Sequence, residues 1–138
     1  MEYFAEIKWL GVLGATVAAF VLGGLWFSPM AFANQWIAAL GKSKDDMGKP
    51  GPGLALSFVT TFIMALSLAL IMGRMLSMST IGAIRFGLVV GAGIVAMGMA
   101  SDYVFTGWSR TLFWIQASYH VVMVVLMAVI INLVNTRF

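Results

Sequence analysis

The chain has no cysteine, three prolines, one histidine and few charges of either sign: five acids and eight Lys and Arg in 138 residues. Without cysteine, disulfide frameworks and thiolate-held zinc or redox centres are excluded. Charged residues make up 9% of the chain, against roughly 25% in an ordinary soluble domain. A net charge of +3 spread along the sequence gathers into no basic patch, so nucleic-acid binding is not expected. There is no acid pair on a shared face, no Gly-rich phosphate loop, no zincin motif and no Ser–His–Asp order. No enzyme activity, catalytic residue, metal centre or cofactor is therefore expected. What the chain does have is apolar side chain: 62% hydrophobic, with a mean hydropathy of +0.99. A single small domain in water cannot bury that much.

Charges divide the apolar sequence into four segments long enough to cross about 30 Å of hydrocarbon, which takes about 20 residues as helix. They run from Ile7 to Phe27, Leu54 to Met72, Ile81 to Thr106 and Leu112 to Val134. Backbone amides in lipid must bond within their own segment, and the runs lack the alternation of barrel strands, so each is expected as a helix. The start of the chain carries Glu2 and Glu6 against Lys8, the wrong sign for a cleaved signal, and is read as leading into a retained first span. The expected fold is all-α, an integral membrane four-helix bundle forming one domain over residues 1–138 in a lipid bilayer.

After the first span, Ser28-Pro29 has the form of a helix start, with Ser as N-cap and Pro at the first position. Phe32, Trp36, Ile37 and Leu40 then suggest a short interfacial helix over residues 29–40. Gly41 to Gly53, with three Lys, two Asp, Pro50 and Pro52, reads as an exposed loop. Four spans put both termini on one side. That side carries Lys8, Arg74, Arg85 and Arg137, and the other carries Lys42, Lys44, Lys49 and Arg110. The positive-inside count is level, and only the three Lys of the first loop lean toward a cytoplasmic placement of that loop.

Helices in lipid gain little from hydrophobicity, and small residues that allow close approach matter more. Gly11, Ala15, Ala19 and Gly23 recur along the first helix; Gly87, Gly91 and Gly98 share a face of the third, continued by Asp102. These stripes mark helix contacts within the chain or a seam between copies, and they are expected to turn Asp102 inward. Met72, Met75 and Met78 have soft-metal spacing, but filler in an apolar protein rich in Met is the plainer reading.

Trp26, Trp36, Trp108 and Trp114 fall at the end of the bundle facing the first and third loops, together with the least lipid-like side chains. Asp102 near the end of the third helix and Gln116 near the start of the fourth are expected at similar depth, with Tyr119 and His120 one turn further in and Arg110 in the turn between. Ionisable groups at a helix centre in lipid cost roughly 2.5–3.5 kcal/mol each, so they tend to have partners or tasks. One reading is a polar vestibule for a small solute or ion, with imidazole as the side chain that changes charge near neutral pH. The other is structural, with Asp102 paired to Arg110 and His120 bonded to a neighbouring helix.

Several of these segments also resemble a known family. Leu25-Trp26-Phe27-Ser28-Pro29 with Phe32 and Trp36 is similar to the aromatic-aromatic-Ser-Pro signature of the bacterial membrane family catalogued as domain of unknown function 1761. Arg110, Leu112-Phe113, Ile115, Tyr119-His120 and Met127 resemble that family's pattern entering its fourth helix. Phe27 stands where the family commonly has Tyr, and Ala117-Ser118 where Gly commonly precedes the Tyr-His pair. The resemblance implies a four-span protein of the bacterial inner membrane without assigned activity, and marks Trp26, Ser28, Pro29, Arg110, Tyr119 and His120 as shared residues. The candidate binding set is then Trp26, Ser28, Asp102, Arg110, Gln116, Tyr119 and His120. The function expected is binding or passage of a small solute or ion, in a homo-oligomer because one bundle has little room for a path. The alternative is a structural or partner-binding membrane subunit. A small multidrug exporter would need a Glu inside the first span, which holds none.

Overall fold

A computed structural model describes residues 2–5, 7–41, 51–75 and 77–138. Of the loop expected over Gly41–Gly53, residues 42–50 lie outside the described residues. Gly51–Gly53 are not loop but the first residues of the second long helix, whose start accepts Pro52 because the amides of a first turn need no partner within the helix. The chain is all-α, with no strand among the described residues: α1 Glu2–Ala5, α2 Trp9–Trp26, α3 Ala33–Ala39, α4 Gly51–Met72, α5 Thr80–Leu88, α6 Met97–Thr106 and α7 Arg110–Arg137. Between α5 and α6, Val89–Ala96 winds as a π-helix, so that α5, this segment and α6 form one continuous span over Thr80–Thr106. That span, α2, α4 and α7 are each long and apolar enough to cross a membrane.

Helix α7, the fourth span, is the centre of the bundle. It touches α2, α3, α4 and the whole α5–α6 span, whereas α4 rests on α2 and α7. Its buried residues include Met123, Val124, Met127, Ala128 and Ile131, which meet Val12, Ala15 and Ala19 of α2 and Ala65, Leu68, Ala69 and Met72 of α4 in one core. The small residues of α2 face α7: a Cβ at Gly11 would stand 3.4 Å from Val134 Cβ, and Gly23 lies under the Tyr119 ring. Gly87 and Gly91 meet the α7 backbone at Val125 and Val121. Contact at this range gives dispersion energy that lipid tails cannot match.

Three local features depart from the expectations. The helix after the first span begins at Ala33, not at Pro29. The Ser28 hydroxyl donates back to the Leu25 carbonyl at 2.6 Å, and the Ser28 carbonyl accepts from Ala31 and Ala33. The hydroxyl thus closes the end of α2 instead of capping a new helix. The caps are elsewhere: Ser79 Oγ accepts from the Gly82 amide at 3.0 Å, and Ser109 Oγ from the Leu112 amide at 3.1 Å. Between α6 and α7, Gly107 takes φ +70°, the left-handed turn at a helix end that glycine adopts without strain. Ser109→Ala should lower stability by about 1 kcal/mol, read as a lower midpoint in denaturant unfolding of the detergent-solubilised protein. No change would mean that the Leu112 amide finds another acceptor.

The third departure concerns Gly98 and Asp102. A residue in i→i+5 winding turns the chain by less than the about 100° of an α-helix. The seven-residue step from Gly91 to Gly98 therefore no longer returns to the same face. The side turned to α7 passes from Gly87 and Gly91 to Ala96, then to the half-buried Ala100 and Tyr103. Gly98 has nothing within 4 Å of its missing Cβ, and Asp102 is exposed. The glycine stripe is thus continuous in sequence and broken in space.

Candidate functional site

At the end of the bundle facing away from the termini, an aromatic cluster ties α2, α3 and α7 together. Trp26 Nε1–H donates to the Ile115 carbonyl at 3.1 Å, so the last residue of α2 is fixed to the second turn of α7. Its ring lies 5.1 Å from Phe32 and 6.3 Å from Tyr119. Phe27 stands edge-on to Tyr119 at 5.1 Å and touches Trp36 at 5.0 Å. The Tyr119 hydroxyl donates to the Ala19 carbonyl at a long 3.4 Å. Trp36 Nε1–H is buried and has no hydrogen-bond partner among the described residues. Such an unmet donor costs about 1–3 kcal/mol, and a bound acceptor would relieve it.

Tyr119 and His120 are in contact, ring centres 5.2 Å apart and nearly perpendicular. His120 Nδ1 lies 2.8 Å from the Gln116 carbonyl, one turn back in the same helix. A carbonyl only accepts, so Nδ1 carries the proton, and in the neutral ring Nε2 is the acceptor. His120 therefore does not bond to a neighbouring helix, as the structural expectation had it.

The other expected members stand apart. Asp102 and Arg110 form no ion pair, and among the described residues Asp102 has no hydrogen-bond partner. Arg110 lines an apolar surface cavity of about 290 Å³ with Tyr103, Trp108 and Phe113, which neither Asp102 nor His120 reaches. Depth separates them as well. The 28 residues of α7 extend about 42 Å at 1.5 Å per residue, about 12 Å more than the hydrocarbon layer. With each span centred on that layer, His120, ten residues in, would sit about 9 Å inside the hydrocarbon, and Asp102, four residues from the end of α6, near its boundary. The rotation after the π segment and this position at the rim together explain why Asp102 can be exposed in a membrane span.

A feature invisible in the sequence lies beside His120. Helices α4 and α7 run in the same direction, and Met72 and Asn132 near their ends line one cavity. Twelve residues earlier in each helix are Thr60 and His120, which thus lie at similar depth. From Gly51 to Thr60 every residue of α4 is exposed, and from Thr61 onward the helix packs. Phe58 keeps an edge-on contact with Phe20 of α2 at 5.6 Å, so the upper part of α4 still touches α2, while Gln116, Tyr119 and His120 of α7 are half-buried. The level at which α4 loses its cover is the level of His120. Ser57 and Thr60 place hydroxyls on that stretch of α4, with Thr60 Oγ1 donating to the Ser57 carbonyl at 3.0 Å, and Gln116, Tyr119 and His120 lie at comparable positions along α7.

No curated protein and no solved structure is matched by the chain. Over residues 10–132 the chain matches the family described as "Protein of unknown function (DUF1761)". That stretch takes in all of α3 to α6 and most of α2 and α7, including the aromatic cluster and the Tyr119–His120 pair. The protein belongs to this family.

Proposed function

We propose that the protein is a non-enzymatic, multi-pass protein of the bacterial inner membrane that holds a small solute or ion in the opening between the first half of α4 and α7, beside Gln116, Tyr119 and His120. The observation that carries this reading is the loss of cover on α4 from Gly51 to Thr60, at the depth where α7 presents its one imidazole. His120 Nε2 supplies an acceptor in the neutral ring and a donor in the charged one. Trp26, Phe27 and Tyr119 brace the helix that carries it. Asp102 and Arg110 drop out of the binding set, and Trp26 and Ser28 act by holding α2 and α3 in place.

A site of this kind needs water to reach it. Because the chain has no cysteine, single-Cys variants report on this directly. Thr60→Cys and His120→Cys should react with a small charged thiol reagent in reconstituted vesicles, and Val122→Cys, exposed two residues further along α7, should not. Equal protection of all three would remove the reading, because the opening would then be filled by lipid. With water access established, pH-dependent flux or stabilisation by added solutes, lost in His120→Leu, identifies what is held.

A second reading is favoured by Gly98 and Asp102, which stand uncovered on α6. In that reading the chain is a structural subunit whose α6 face docks on another membrane chain or a second copy. It predicts a stoichiometric complex that Asp102→Leu disrupts and added solutes leave unchanged.

A further inference from the structure

The turn that joins the third span to the fourth borders the apolar cavity of about 290 Å³ at the end of the bundle away from the termini. Ala100, Tyr103 and Val104 of α6 line one side, at the i, i+3, i+4 spacing that places residues on one face of a helix. Asp102 falls off that face and does not line the cavity. Tyr103 stands edge-on to Trp108 at 5.2 Å and to Phe113 at 5.4 Å, so ring contacts across the turn hold the aromatic wall in place.

Two polar residues complete the lining, Ser109 and Arg110. Ser109 Oγ accepts from the Leu112 amide at 3.1 Å, which leaves its O–H to donate elsewhere. The exposed Arg110 guanidinium has no hydrogen bond or ion pair among the described residues, and no carboxylate among them lines the cavity. An aromatic wall also suits a quaternary ammonium, but that cation would meet Arg110 with nothing to offset it. An anion would meet a guanidinium and a hydroxyl. Depth narrows the choice further. With both spans centred on the hydrocarbon, Arg110 would stand about 6 Å outside it, in a headgroup layer about 5–7 Å thick, and Ala100 about 4 Å inside. The cavity thus leads from the level of lipid phosphates to the level of the acyl chains.

We infer that this cavity binds an anionic phospholipid, with Arg110 and the Ser109 hydroxyl on its phosphate and the start of one acyl chain against Tyr103, Val104, Trp108 and Phe113. A charged group at the mouth of a carbon-walled cavity suits an amphiphile, whereas a soluble anion gains nothing from those walls. The inference gives Arg110 a contact of its own, apart from the site proposed beside His120, and neither depends on the other. It also goes beyond the diffuse attraction of any basic residue to a charged membrane surface.

The test uses the full chain purified in a neutral detergent. Native mass spectrometry is run with dioleoylphosphatidylglycerol, with dioleoylphosphatidylcholine and with glycerol 3-phosphate, and thermal unfolding is followed in parallel. The expected result is one phosphatidylglycerol retained per chain with a raised unfolding midpoint, phosphatidylcholine held more weakly, and no effect of glycerol 3-phosphate. Arg110→Gln should weaken retention about tenfold, as loss of one charge-assisted contact predicts. Val104→Glu, at a position 78% exposed, keeps Arg110 and hands it a carboxylate, and should give a similar loss. Lys8→Gln removes one charge at the opposite rim, where the ammonium donates to the Asn135 carbonyl at 3.2 Å beside a second cavity, and should leave retention unchanged. Undiminished retention in Arg110→Gln or Val104→Glu would overturn the inference, as would equal binding of the two lipids. Equal losses in Arg110→Gln and Lys8→Gln would reduce the effect to surface charge. Stabilisation by glycerol 3-phosphate to match the lipid would make the occupant a soluble anion, and the acyl-chain site would be lost.

Discussion

Gly87→Ala is expected to loosen the third span from the bundle, while Gly98→Ala, eleven residues along the same span, leaves the protein as stable as before or slightly more so. A Cβ at Gly87 would stand 2.7 Å from Val125 Cα and 3.3 Å from its amide nitrogen. Those are backbone atoms of a helix packed on all its neighbours, so they cannot give way as a side-chain end could. Relief requires α5 and α7 to move apart, which also loosens the Gly91 contact, where a Cβ would lie 3.1 Å from Val121 Cα. Overpacking of this kind costs about 1–3 kcal/mol and sometimes more; with two contacts on one seam the upper part of that range is expected for Gly87→Ala. At Gly98 there is nothing within 4 Å, and the methyl group adds up to about 1 kcal/mol of helix propensity. Unfolding of the two variants in mixed micelles of increasing denaturing-detergent fraction measures both. Comparable damage at Gly98 would mean that the α6 face is closely covered in the membrane, as the subunit reading requires.

This contrast also shows where sequence reasoning ends. The four spans are legible because their signal is length and hydropathy, and each needs only an uncharged run bounded by Lys, Arg or Asp. Which way each helix is turned is a different quantity. In a soluble helix the polar face reports it, but in α5–α6 nearly all faces are apolar and the phase rests on small residues alone. Gly87, Gly91 and Gly98 fit one stripe if the winding is α throughout. The change to i→i+5 bonds over Val89–Ala96 is made by backbone groups and leaves no residue signature beyond the two glycines it contains. The turn at Ser28 fails for a similar reason. Ser28, Ser79 and Ser109 all precede helical sequence, and only the hydroxyl's choice between a carbonyl behind and an amide ahead separates the first from the others.

The candidate site divides along the same line. Trp26, Tyr119 and His120 come together because their neighbourhood follows from helix order and depth, both readable from span lengths. Asp102 was expected with them on the strength of a helical face, the property that the π segment alters. The exposed first half of α4 and the cavity at Lys8 had no local signal at all. Both depend on how separate helices meet, and residues as distant in sequence as Trp26 and Ile115, or Lys8 and Asn135, carry no mark of being neighbours.

The packing of Tyr119 on Gly23 yields the sharpest expected coupling in the molecule. A Cβ at Gly23 would meet the Tyr119 hydroxyl oxygen at 2.8 Å and the ring carbon bearing it at 3.3 Å. The hydroxyl is the far end of a side chain, but it cannot swing aside freely, because Trp26, Phe27 and His120 hold the ring. Gly23→Ala should therefore cost about 1–3 kcal/mol. Tyr119→Phe by itself should cost less than about 1 kcal/mol, because the bond it removes, to the Ala19 carbonyl, is a weak one at 3.4 Å. In the double variant the shorter ring clears most of the added methyl. The two changes together should then be more stable than Gly23→Ala alone, with a coupling of about 1–2 kcal/mol. Tyr119→Ala takes away the ring and its aromatic contacts and should cost about 3–4 kcal/mol, loosening α2 from α7. Additive behaviour of Gly23→Ala and Tyr119→Phe would mean that the ring does not lie on Gly23 in the membrane. If the coupling is found, Tyr119→Phe keeps the aromatic cluster intact while removing its hydroxyl. Any change in solute binding in that variant then reports on the hydroxyl's chemistry, separately from the packing that supports His120.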